Sequence, residues 1–255
     1  MEQAVELEGL TKRFGAQTAL DDVSFRLPPG QLLGVVGLSG SGKSTLLRLL
    51  NGLHKPTSGR VRVLGVDVAD ARSSSLRALR RQVGFIFQQF NLVDRVSCLE
   101  NVLSGALGRL IGPRLGVGMY SKTMRQEAVD HLERVGLAHK AFQRADTLSG
   151  GEQQRIAIAR SLMQRPRLLL ADEPVASLDP ESSVEVMDIL RRICTEEHFT
   201  VVCSLHQVEM ALGWADRVIG LRAGQVVLDS PSAGLTKASI MRIYQRTPIA
   251  DVARG

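Results

Sequence analysis

An α/β fold with a phosphate site at one edge of a mostly parallel sheet, broken by a helical insertion, is the architecture this sequence predicts, and three observations carry it. A glycine-rich loop, Gly37-Leu-Ser-Gly-Ser-Gly-Lys-Ser-Thr45, stands between an apolar run ending at Val36 and a helical pattern at Leu46, Leu47 and Leu50. That strand, loop and helix is the context in which G-x-x-x-x-G-K-[ST] holds phosphate. A second apolar run, Leu168 to Ala171, ends in the carboxylates Asp172 and Glu173, as a strand covered on both faces does at the ligand edge of a parallel sheet. Between them, from Ser97 to Arg165, β-branched alternation gives way to helical spacing at Leu99, Val102, Leu103, Ala106 and again at Ala128, Leu132, Val135.

The 255 residues, 44% of them apolar, are enough for a large core that folds without staples. Cys98, Cys194 and Cys203 are odd in number and widely spaced, which argues against a disulfide framework or zinc site and for a reducing cytosol. The sequence holds no apolar run of membrane-spanning length, and Met1 to Glu6 lacks the basic and apolar regions of a signal peptide. A net charge of +6 suits nucleotide, nucleic acid or an anionic surface alike. With 4% aromatics and no long basic run, charge does not choose among them.

Taken in order, Val5 to Leu7 and Val23 to Leu27 alternate apolar and polar residues and predict antiparallel strands, with turns at Asp21-Asp22 and Pro28-Pro-Gly30, before a buried strand Gln31 to Val36. Arg60 to Val68 reads as two short strands, and the serines from Ser73 introduce a short helix. The strand Val83 to Phe87 ends at the polar break Gln88-Gln-Phe-Asn-Leu92. Within the helical insertion, Gly108 to Gly118 predicts an irregular loop, and Ser149 caps a helix striped by Ile156, Ala159 and Met163. A capped start explains Ser149, yet no structural need calls for both Gly150 and Gly151. After the acidic strand, Ser177-Leu-Asp-Pro180 turns into a helix Glu181 to Cys194, with Asp179 as a candidate cap. The strand Thr200 to Ser204 leads to His206, the best placed of the histidines; two strands, Arg217 to Leu221 and Gln225 to Asp229, flank Ala223-Gly224, and a helix Ser239 to Gln245 precedes a frayed tail from Thr247.

These positions assign chemistry. Backbone N–H groups of Gly37, Leu38, Ser39, Gly40, Ser41 and Gly42, with the helix N-terminus through Thr45, form a phosphate cradle. Lys43 reaches the β- and γ-phosphates of a bound nucleotide, and the Ser44 hydroxyl ligates Mg²⁺. Of the two carboxylates one binds the metal and one activates water. Phe14, an aromatic upstream of the loop, is either core or a platform for adenine.

The ordered set of P-loop, Gln88, Leu148-Ser-Gly-Gly-Glu152, Asp172-Glu173, Ser177-Leu-Asp179 and His206 closely resembles the ATPase subunit of ABC transporters over residues 3 to 230. Two positions depart from the family's usual residues: Glu152 replaces Gln in the signature, and Phe14 replaces Tyr as the adenine aromatic. A finer resemblance, to the phosphonate-importer ATPases, rests on Phe85 to Val93, Leu99 to Leu107, the insert up to Arg125, Ala171 to Ser182 and Leu205-His-Gln-Val208.

The resemblance implies a RecA-like mixed sheet with an antiparallel β subdomain (the P-loop NTPase core, 1–90 and 165–230), a helical subdomain at 91–164, and a C-terminal helix and tail at 231–255. It implies that Glu173 is the general base, that His206 and Gln88 assist at the γ-phosphate, and that Ser44, Gln88 and Asp172 surround Mg²⁺. Two copies pair head to tail, so that Leu148, Ser149, Gly150, Gly151 and Glu152 of one chain meet the ATP of the other, with Ser177, Leu178 and Asp179 at the same interface. Such a homodimer sits peripherally on the cytoplasmic face of the membrane, on permease subunits fed by a substrate-binding protein, and has no nucleic-acid partner. The alternatives are an importer ATPase for another solute such as amino acids, and a soluble ABC ATPase without transport.

Overall fold

Two sheets enclose one helix, and that arrangement follows from where the apolar runs fall. The computed structural model describes residues 3–110 and 117–244. Its first half runs β1 (Val5–Phe14), β2 (Gln17–Leu27), β3 (Leu32–Val36), α1 (Lys43–Leu50), β4 (Ser58–Val63), β5 (Val66–Asp67), α2 (Ser73–Gln82) and β6 (Val83–Ile86). Three helices follow: α3 (Cys98–Ser104), α4 (Lys122–Arg134) and α5 (Gly150–Met163). The rest is β7 (Leu168–Asp172), α6 (Pro180–Glu197), β8 (Thr200–Leu205), α7 (Val208–Trp214), β9 (Arg217–Arg222), β10 (Gln225–Pro231) and α8 (Lys237–Tyr244).

An antiparallel sheet has the order β2-β1-β4-β5, and a second sheet the order β10-β9-β3-β8-β7-β6. In the second, β3, β6, β7, β8 and β9 are parallel, and β10 returns antiparallel along β9. The continuous apolar strands are shared between two cores by the two-residue period of a strand. Leu33 and Val35 of β3, Leu168 and Leu170 of β7 and Val202 of β8 face α1 and the antiparallel sheet. Their neighbours Leu32, Val36, Leu169, Ala171, Val201 and Cys203 face the helices α3 to α6. The helical segment thus shares one apolar cluster with the sheet.

Several local expectations need correction. Asp21-Asp22 is not a turn: β1 and β2 continue past it to a hairpin at Gly15-Ala16, and Asp22, at φ 52°, lies within an irregular stretch of pairing where the register shifts between Leu10↔Val23 and Lys12↔Leu20. A bulge of this kind bends a strand without ending it. Glu173 is not the last residue of β7; it leaves the strand at φ 51°. The helix expected to end at Cys194 runs to Glu197, and α7 had no counterpart in the sequence reading. Around the predicted loop Gly108 to Gly118, the described parts are 3-10 turns at Gly105–Arg109 and Val117–Met119; positions 111–116 lie outside the described residues, as do Gln245 and the tail from Thr247. The three cysteines are buried free thiols.

Candidate nucleotide site

The loop after β3 is built to leave donors bare. Gly42 precedes α1 at φ 108° and supplies no side-chain cap, so the first N–H groups of the helix face the cleft. A Cβ at Gly42 would stand 2.6 Å from the Ala19 carbonyl oxygen, and one at Gly37 would stand 2.3 Å from that of Leu221. Neither position admits a side chain. Lys43 is buried and donates to the carbonyls of Gly37 (2.9 Å) and Leu38 (3.3 Å), so its ammonium lies folded back along the loop.

Across the cleft, the ends of β7 and β8 bring the acids to this loop. Ser44 Oγ donates to Asp172 Oδ1 at 2.9 Å. Glu173 Oε1 lies 3.5 Å from Lys43 Nζ and 2.7 Å from His206 Nε2. Ser204, which the sequence reading passed over, accepts from the Glu173 N–H at 2.8 Å and donates to Asp172 Oδ1 at 3.0 Å. Its one signal was a hydroxyl at the ligand end of a mostly apolar strand, two residues before His206.

A cleft of about 540 Å³ is lined by Phe14, Ser39 to Thr45, Gln88, Glu173 and His206, together with Gln17 and Ala19. Phe14 is 44% exposed and so is not core. Its ring meets His54 edge-on at 5.2 Å, and Lys12 Nζ lies 4.9 Å from its centroid. Behind Gln88 the chain passes through left-handed Phe90 and Asn91, whose carbonyls are held by the Arg160 guanidinium, 2.7 Å to Phe90. Arg160, on α5, is a second contributor that the sequence reading missed.

Leu148 to Glu152 do not line this cleft. Ser149 and Glu152 form a reciprocal capping box, Glu152 N–H to Ser149 Oγ at 3.3 Å and Ser149 N–H to Glu152 Oε2 at 3.1 Å. Glu152 also pairs with Lys140, which gives the carboxylate a role that a glutamine would fill less well. Because Ser149 Oγ accepts in the box, its own proton stays available to an anion. The expectation that no structural need explains both glycines is wrong for Gly151: a Cβ there would stand 2.5 Å from Ser182 Oγ and 2.7 Å from Ser182 Cβ on α6. At Gly150 the nearest atom would be Leu178 Cδ2 at 3.5 Å, an ordinary contact. Asp179 caps α6 by accepting from Ser182 N–H at 2.9 Å.

The sequence profile of the ABC transporter family matches residues 20–176. The chain belongs to that family. A phosphonates import ATP-binding protein of Frankia casuarinae is 61% identical over 98% of this chain and 99% of its own length. A phosphate-import ATP-binding protein of Mycolicibacterium smegmatis is 63% identical over 96% of this chain and 94% of its own. Among solved structures, the ATP-binding cassette MJ0796, in a dimeric post-hydrolysis state bound to ADP and Pi, is 34% identical with a TM-score of 0.78, covering 91% of this chain and all of that one. The ABC ATPase described here has, among its described residues, no helix long and apolar enough to cross a membrane.

Its oxygen donors also fit a hard cation. The hydroxyl of Ser44, which lines the cleft, is hydrogen-bonded to the carboxylate of Asp172, and no cluster of three His, Cys, Asp or Glu side chains exists among the described residues to form an all-protein cage. Mg²⁺ is commonly held by one or two protein oxygens and completed by water and phosphate.

Proposed function

We propose that this chain is the ATP-hydrolysing subunit of an importer for phosphorus oxyanions, phosphonates first among them, and that it works as a head-to-tail homodimer on the cytoplasmic face of the membrane. The observation that carries the dimer is the separation of half-sites: the phosphate loop, Glu173 and His206 line one cleft, while Ser149 and its helix N-terminus stand outside it. A second copy related by a two-fold axis supplies the missing half to each cleft. The dimeric state of the cassette MJ0796 supports this reading.

Within each cleft, Ser44 and Asp172 hold Mg²⁺, which when bound neutralises phosphate charge, and Gln88 adjoins it. Lys43 leaves its carbonyl partners for the phosphates, Phe14 offers its exposed face to adenine, Glu173 takes a proton from the attacking water, and His206 holds the Glu173 carboxylate. ATP favours the closed pair and hydrolysis the open one, because Ser149, Gly150 and Gly151 make contacts only in the first. Residues 1–90 and 165–230 act as the catalytic core, 91–164 as the arm that meets the permease, and 231–255 as an appendage. A groove of about 450 Å³ between α2, β6, α3 and α5, lined by Phe87, Asn91, Ser104 and Arg160, lies beside the Gln88 loop and suits a permease helix. A substrate-binding protein delivers the cargo on the far side.

The cargo reading rests on the importer relatives and on the segments from Phe85 to Val93 and Leu99 to Leu107. The relative named for phosphate import makes phosphate a second reading. Reconstituted with a phosphonate-importer permease and its binding protein, the ATPase is expected to be stimulated by phosphonate, phosphite, hypophosphite or phosphate. Stimulation by amino acids, sugars or sulfate instead would refute the cargo and leave the ATPase standing.

A further inference from the structure

Glu173 leaves β7 in the left-handed region, which a non-glycine residue occupies only when its surroundings hold it there. Its N–H lies beyond the ladder that ends at Asp172↔Ser204, so this half-buried amide takes its partner from a side chain. The fully buried Ser204 hydroxyl is that partner, and it donates its own O–H in a hydrogen bond to Asp172 Oδ1, the oxygen to which Ser44 Oγ also donates. Two residues on, His206 bonds the Glu173 carboxylate. The end of β8 therefore grips Glu173 at its backbone through Ser204 and at its side chain through His206.

We propose that Ser204 is a positioning residue for hydrolysis, tying the Asp172 carboxylate and the Glu173 peptide into one unit so that base and metal-side oxygen keep a fixed relation. The proposal rests on the ATPase reading above. Alanine at 204 leaves the Glu173 N–H and one Asp172 oxygen each short of a partner; it removes nothing that touches nucleotide.

Ser204→Ala is expected to lower kcat about 10- to 100-fold, as loss of an outer-shell hydrogen bond does, with KM for ATP held within about twofold. Ser204→Thr, which retains the hydroxyl, is expected to restore most of kcat. Hydrogen exchange of the peptide spanning 168–176, followed by mass spectrometry in the absence of nucleotide, is expected to quicken in Ser204→Ala and stay slow in Ser204→Thr; this readout survives a Thr variant that packs poorly. Unchanged kcat in Ser204→Ala, or unchanged exchange, overturns the proposal. An inactive parent overturns the ATPase reading and this inference with it, whereas an active parent with an indifferent Ser204→Ala overturns this inference alone.

Discussion

At the scale of single residues, the proposed hydrolysis turns on one carboxylate. Glu173 is held between Lys43 and His206 and lines the cleft. Glu173→Gln is therefore expected to keep ATP binding and to lose hydrolysis by about 10²- to 10⁴-fold, the usual worth of a general base; turnover within about threefold of the parent would remove Glu173 from that role. The sequence made this residue legible because a P-loop followed by an acidic strand end leaves few other readings. Ser204 and Arg160 were illegible because their roles depend on which strand and which loop they face, and neither neighbour is close in sequence.

His131 gives a pH test away from the site. Burial, then the charge of Arg134, lowers its pKa to about 4, and Arg134 Nη1 lies 3.3 Å from Nδ1, where a guanidinium only donates, so the imidazole is held neutral. An unfolded imidazole titrates near 6.5, so the unfolded chain takes up the proton first. Stability is then lost as pH falls from about 6.5 to about 4, by on the order of 3 kcal/mol, and levels off below. His131→Gln is expected to flatten that part of a urea-unfolding profile; an undiminished loss in the variant contradicts the assignment.

At the scale of elements, the start of α5 separates packing from function. Gly151 lies too close to α6 for any side chain, so Gly151→Ala is expected to cost about 1–3 kcal/mol of stability through overpacking. Gly150→Ala meets only ordinary contacts and is expected to leave the thermal midpoint within about 2 °C while reducing ATP hydrolysis, since the new methyl would face the partner's phosphate. Equal thermal losses in the two variants would contradict this division. The glycine pair was legible as a motif but not as two different demands, because a sequence does not display the distance between α5 and α6. Elements with strong periodicity, α5 and the strands β3, β7 and β8, were legible in advance. The irregular pairing at Asp22 was not, because an Asp pair gives the same signal for a turn and for a left-handed residue inside a hairpin.

At the scale of the whole molecule, two cores share the strands of one sheet, and the phosphate loop emerges on one side of it while α5 begins on the other's helical layer. Among the described residues Leu148 to Glu152 do not line the cleft, so on the proposed reading binding nucleotide and enclosing it are separate events that a second copy would join. The order of motifs made the family legible and, by resemblance, implied head-to-tail pairing; that Leu148 to Glu152 stand outside the cleft of their own chain needed the structure. The central claim is tested most directly by sedimentation velocity of the Glu173→Gln protein with ATP, alone and with Ser149→Arg added. The account predicts a dimer in the first and a monomer that still binds ATP in the second, because the arginine fills the space meant for the partner's γ-phosphate; a monomer in the first, or a dimer in both, would contradict it.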